Sequence, residues 1–213
     1  MAMRMLCLLL CGFTAITHAA NDAELQSTLA IKGTVSVTSD SITAQGDPVS
    51  CGFSFTALHV DDIYKSGAPI KVAGSFAIRR MKKQLFLLYK IGVFDMVGLK
   101  LTPAPPFFVW MRFGKVLIKA TNKANSDSPG YILFTAPLPE DPKPLLDALA
   151  QQHEVTLGFN RRNGGADVVL NLDMSVRNTY FETTGVRPES DPSLGPAVIK
   201  CLDDLTTFAD SLP

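Results

Sequence analysis

The chain has 213 residues, and its 20 lysines and arginines balance its 20 aspartates and glutamates. That balance leaves no broad field to gather nucleic acid or anionic lipid by bulk charge. Apolar residues make up 46% of the sequence, enough for one well-buried core, and a chain this short does not divide comfortably into two.

Arg4 precedes an apolar run from Met5 to Ile16, and Thr17 and His18 then lead to Ala19 and Ala20. Charge, hydrophobic stretch and small residues in this order mark a secretory leader. Cleavage after Ala19 puts Thr17 and Ala19 in the small pockets of the peptidase. The run falls well short of the ~20 apolar residues of a spanning helix. The expected organisation is a signal peptide over residues 1–19 and a single β-rich domain over 20–213, periplasmic or secreted, with no integral membrane segment after cleavage. Cys7 and Cys11 would leave with the leader, so Cys51 and Cys201 remain to form one disulfide in an oxidising compartment. With only His59 and His153 left beside them, a zinc site lacks ligands at any familiar spacing.

Leu29 to Thr38 alternates loosely between apolar and polar residues and reads as a strand with Ile31, Val35 and Val37 inward. A Ser/Thr/Asp/Gly stretch to Pro48 reads as a loop. A second strand begins near Cys51, with Phe53, Phe55 and Ala57 on one face. Pro69 opens a third through Ile78, and Leu85 to Ile91 gives a fourth. Between them Arg79, Arg80, Lys82 and Lys83 form a basic turn, ordinarily just solvated, whose functional reading is a patch for an acidic partner. Met96 to Leu101 reads as one short strand, and Pro103, Pro105 and Pro106 then bar regular pairing.

Phe107 to Ala120 is the most aromatic segment and holds the only tryptophan, Trp110. Phe107, Val109, Met111 and Phe113 would face one way, Phe108 and Trp110 the other, with Gly114 at a bulge or bend. Apolar residues on both faces mean either a strand covered on both sides or an exposed binding surface. Asn122 to Gly130 reads as a loop and Tyr131 to Thr135 as a strand. Pro142 to Gln152 has helical spacing, with Asp141 as N-cap and proline in the first turn. Val155 to Asn160 and Asp167 to Val176 form a hairpin across Asn163, Gly164 and Gly165. A polar, proline-bearing linker follows Asn178 and runs to Pro192. Gly195 to Asp210 is an amphipathic helix with Val198, Cys201, Leu202, Leu205, Phe208 and Ala209 on one stripe. The expected class is mainly β: an antiparallel sandwich or partly open barrel with one short inserted helix and a C-terminal helix.

Chemistry is sparsely marked. His59 and Asp61 would share a strand face and form the nearest approach to a catalytic pair, although a solvated strand end explains them as well. His153 and Glu154 are adjacent and would point to opposite faces. The sequence contains no nucleophile elbow, H-E-x-x-H, Walker loop or dinucleotide fingerprint, so no cofactor is expected.

From about Gly130 to Val176 the order is a strand, a proline-acidic turn (LPEDPK), a leucine-bearing helix (LLDAL) and a hairpin (VTLGFNRRNGGADVVLNLDMSV). That order resembles the C-terminal part of the invasion-associated locus B proteins, small exported bacterial β proteins. The segment covers under a third of the mature chain, and the cysteines that flank it in that family are missing from GYILFTAPLPEDP. The resemblance implies an envelope or secreted protein without a known active site.

The expected function is binding of another protein in or beyond the bacterial envelope, without catalysis. Phe107, Phe108, Trp110, Arg79, Arg80, Lys82 and Lys83 are the candidate interaction residues. An apolar small molecule held between sheets is the alternative partner, and an exported hydrolase built on His59 and Asp61 the third reading.

Overall fold

The computed structural model describes residues 33–44, 47–81, 84–98, 100–139, 143, 145, 154–182 and 185–210. Residues 1–19, the expected leader, and residues 20–32 lie outside these, as do Lys82, Lys83 and His153. Thirteen strands are described, with one long helix at the C-terminus. They are β1 (Gly33–Ala44), β2 (Asp47–Asp61), β3 (Ala68–Met81), β4 (Gln84–Val97), β5 (Lys100–Pro103), β6 (Phe108–Phe113), β7 (Val116–Lys119), β8 (Asn122–Asn125), β9 (Tyr131–Pro137), β10 (Glu154–Asn160), β11 (Val168–Asp173), β12 (Val176–Glu182) and β13 (Gly185–Ser190), followed by α1 (Leu194–Asp210).

The larger sheet runs β1-β2-β3-β4-β9-β8, with β5 paired to β4. The smaller runs β11-β10-β6-β7, and β12 with β13 forms a separate ribbon. Every strand pair is antiparallel. The class is mainly β and sandwich-like, without a closed barrel.

Period-two alternation decides which side chains meet between the sheets. Phe53, Phe55, Phe76, Tyr89 and Ile91 from the larger sheet are buried against Val109, Met111, Phe113, Leu157 and Phe159 from the smaller. Phe76 and Phe113 bring their ring centroids to 4.9 Å across this space. At one corner the chain passes from sheet to sheet: the Ala120 N–H donates to the Val109 carbonyl and the next N–H, of Thr121, to that of Thr135. At the open edge the Thr34 hydroxyl accepts the Asp173 N–H at 2.6 Å.

The helix α1 buries Leu194, Val198, Leu202 and Leu205 on the same core. The Cys51–Cys201 disulfide joins it to β2, with Cα atoms 5.7 Å apart. Lys143 and Leu145 are helical where an inserted helix is expected, and the Leu145 side chain is buried.

Several expectations are corrected. The stretch between Thr38 and Pro48 is not a loop, because β1 continues to Ala44 and pairs through Thr43↔Pro48 and Ala44↔Asp47. Met96 to Leu101 is not one strand but the tip of a hairpin, with Val97 opposite Lys100 and Gly98 at a φ of 60°. Gly114, at a φ of 56°, makes a full reversal rather than a bend, placing Phe113 opposite Val116. Asn122–Asn125 is an exposed edge strand. Asp167 to Val176 splits at Met174 and Ser175 into β11 and β12. The linker beyond Asn178 is the β12–β13 ribbon, tied to β1 where the Thr179 hydroxyl donates to the Thr34 carbonyl.

Candidate functional site

Three connections meet at one end of the sandwich, and what holds them is a chain of charges starting at Asp61. Alternation along β2 sends Asp61 inward with Phe53, Phe55 and Ala57, so its carboxylate is 0% exposed. Such a group is tolerated only if its lone pairs are filled. Oδ1 accepts the backbone N–H groups of Ile63 at 3.0 Å and Tyr64 at 2.8 Å, an Asx turn that fixes the β2–β3 connection. Oδ2 accepts Nη2 of Arg161 at 2.8 Å. Arg161 follows β10 and turns its other terminal nitrogen, Nη1, to Asp95 on β4 at 2.7 Å. The second oxygen of Asp95 takes the Lys65 ammonium at 3.0 Å.

Two acids and two bases thus alternate across both sheets, and their charges cancel. Burial raises the Asp95 carboxyl, but hydrogen bonds and charges from Arg161 and Lys65 outweigh it and hold the group below the usual carboxylate range. Arg161 lies 5.7 Å from the Tyr64 ring centroid, and the Tyr64 hydroxyl donates to the Ala166 carbonyl at 2.5 Å. Gly165 lies beneath that hydroxyl, where a Cβ would sit 2.3 Å from it and force the ring or the turn to shift.

A second polar knot stands beside the first. Asp167 accepts the Trp110 indole N–H at 2.8 Å and the Asn160 amide at 3.1 Å. The indole lies over Gly158, where a Cβ would come within 2.0 Å of the ring. Trp110 is therefore a half-buried packing residue with a satisfied N–H.

The braced connections carry large apolar side chains into solvent. Ile63 is 47% exposed, Val97 63%, Leu101 42% and Phe107 40%. Register places them at the same end: Asp61 pairs with Ala68, and Ile70 with Asp95, so the β2–β3 turn and the β4–β5 tip project together. Phe107 joins them through its N–H, which donates to the Asn160 carbonyl at 2.8 Å.

The sequence-derived candidates are divided by this arrangement. Val109, Met111 and Phe113 face the core, Phe108 and Trp110 are half-buried on the other face of β6, and Phe107 is exposed just before the strand. Arg79 is exposed and Arg80 half-buried at the opposite end of β3, so these two do not share a surface with Phe107, Phe108 and Trp110; Lys82 and Lys83 lie outside the described residues. His59 is half-buried two residues before Asp61, whose oxygens are both committed to other donors. Among the described residues no three His, Cys, Asp or Glu side chains converge as metal ligands would. Arg161, the residue that links both carboxylates, carries no local signal of that role, since its partners lie 100 and 66 positions away.

Comparison with protein-family models, curated proteins and solved structures returns no match. No helix among the described residues is long and apolar enough to cross a membrane.

Proposed function

We propose that this protein is an exported, non-catalytic β domain that binds another protein through the loops at its braced end. The observation that carries the reading is the pairing of rigid support with exposed apolar tips. Loops that must bind are most effective when a scaffold fixes them beforehand, because less ordering is left for the moment of contact. Ile63, Val97, Leu101 and Phe107 supply the apolar surface, and the Asp61–Arg161–Asp95–Lys65 chain supplies the fixing. The disulfide suits an oxidising compartment. The resemblance of residues 130–176 to the invasion-associated locus B proteins agrees with an envelope or secreted location.

An apolar carrier is less favoured, since the space between the sheets is filled by side chains such as Phe76 and Phe113. A recess beneath α1, lined by Phe53, Leu194 and Val198, has about 20 Å³, room for about one water.

The test is capture from an envelope fraction by the wild-type protein, by Val97→Asp and by Arg79→Glu. A partner held by the wild type and by Arg79→Glu but lost with Val97→Asp is the expected result. Equal capture by all three proteins would overturn the assignment of the braced end.

A further inference from the structure

The outer face of the larger sheet differs from an ordinary solvated face, which carries long charged side chains. Antiparallel register sets Ser54 of β2, Ser75 of β3 and Lys90 of β4 side by side on it. In the neighbouring row stand Thr56, Ala73, Gly92 and Tyr131 of β9. No side chain over β2 and β3 in these rows is larger than threonine, so the face sinks there into a trough of about 360 Å³. Ala73 on its floor is only 5% exposed although it points away from the core.

One wall of the trough is built rather than incidental. The Lys90 ammonium donates to Asp127 Oδ1 at 3.0 Å and to the Ser128 hydroxyl at 2.7 Å, pinning the loop before β9 against the sheet. Tyr131 packs over Gly92, where a Cβ would meet its ring at 2.9 Å. Phe94 meets the same ring edge-on with centroids 5.4 Å apart, so the ring is held from two sides. Across the trough the Ser54 hydroxyl donates to Asp40 at 3.1 Å.

The chemistry of this wall and floor selects a ligand class. Hydroxyls on Thr56, Ser75 and Ser128 line it and are groups that both donate and accept. Tyr131 adds a fixed aromatic surface. Lys90 already has its counter-ion, so the trough has no spare cation for a phosphate or an acidic peptide. The surface is too polar for a lipid tail. A pyranose matches it, since it presents hydroxyls around its edge and C–H groups on its faces, and the volume lies within the ~300–1,000 Å³ of small-ligand sites. We propose that this trough binds a neutral oligosaccharide, with one ring against Tyr131 and its hydroxyls shared among Thr56, Ser75 and Ser128. The site is separate from the braced end and stands independently of the protein-binding reading.

The experiment is calorimetric titration of the full mature protein with maltotetraose, cellotetraose and chitotetraose, alongside inorganic phosphate and a polyglutamate peptide. At least one tetrasaccharide is expected to bind, and Tyr131→Ala and Ser75→Trp are each expected to weaken it by about tenfold or more. Tyr131→Ala uncovers Gly92 and could disturb the sheet. Ser75→Trp fills the trough from a half-exposed position, so it decides the matter when its unfolding midpoint matches the wild type. Val97→Asp should leave saccharide binding unchanged. The proposal is overturned by a lack of heat from all three tetrasaccharides up to about 10 mM. Saccharide binding that survives in folded Ser75→Trp overturns it equally, as does a preference for phosphate or polyglutamate.

Discussion

Arg161 and Asp61 show how a costly pair of charges is made tolerable. Each ion loses several kcal/mol of hydration on burial, and attraction between the two offsets this only when the remaining donors and acceptors are also matched. Asp61 meets that condition with two backbone N–H groups and one guanidinium nitrogen, while Arg161 leaves its Nε without a partner. Removing Arg161 takes the guanidinium from two carboxylates at once and leaves Asp61, which is fully buried, with backbone N–H groups and no counter-charge from it. Arg161→Met should therefore lower stability by about 3–5 kcal/mol in a urea titration. A loss under about 1 kcal/mol would mean that the carboxylates find water or another donor. Tyr89 presents the opposite case. Its hydroxyl is buried without a partner, and burial pushes its ionisation far above the usual tyrosine range. Tyr89→Phe removes an unsatisfied group and keeps the ring, so it should raise stability by about 0.5–1 kcal/mol, read as a higher denaturation midpoint. The sequence places Asp61 on the same strand face as its buried neighbours. Nothing local could name Arg161 as its partner, because strand alternation carries no information about what lies 100 residues on.

At the scale of elements, the apolar periodicity was legible and the reversals were not. Phe53, Phe55, Val109, Met111 and Phe113 fall on the inner faces that alternation assigns them. Met96 to Leu101, read as one strand, and Phe107 to Ala120, read as bulged or bent at Gly114, each reverse direction at a glycine of positive φ, Gly98 and Gly114. A glycine leading a two-residue loop is a recognised hairpin signal, and it was masked by apolar residues on both sides. The Ser/Thr-rich end of β1 and the β12–β13 ribbon were missed for another reason. The end of β1 and β13 are exposed strands held by backbone pairing, and the buried residues of β12, Val176 and Thr179, stand three positions apart across a register shift, so none of them writes a period of two into the sequence. The C-terminal helix was legible in its stripe, and its disulfide in the two cysteines that lie outside the expected leader. Cys201→Ser frees α1 from β2 and opens a covalent loop spanning 150 residues. The variant should lose about 2–5 kcal/mol in the absence of reductant. Dithiothreitol should bring the wild type to the same midpoint, whereas an unchanged midpoint would mean that helix packing alone carries the docking.

The described residues share one core closed by different means at its different margins: a crossing strand at one corner, a side-chain bridge at the open edge, a disulfide under the helix and a charge chain at the loop end. Only the charge chain depends on pH, so acid should open the molecule unevenly. Asp95 titrates below its unfolded value because Arg161 and Lys65 favour its charged form. Its contribution is therefore fully present above about pH 4, where the unfolded carboxyl is also ionised. It is lost as pH falls through the depressed folded value, the direction required when the unfolded state binds the proton more readily. The denaturation midpoint should stay level on the neutral side of that window and drop within it. Asp95→Asn should be less stable at neutral pH and converge with the wild type in acid, having no carboxyl left to protonate. Hydrogen exchange adds location. The N–H groups of Ile63 and Tyr64 rest on Asp61, at the far end of the same chain, so they should lose protection before those of the β2–β3 ladder. Simultaneous loss of protection across both sets would mean that the loop end is braced by the core and not by its charges. The rigid support invoked for protein binding would then have to come from packing alone.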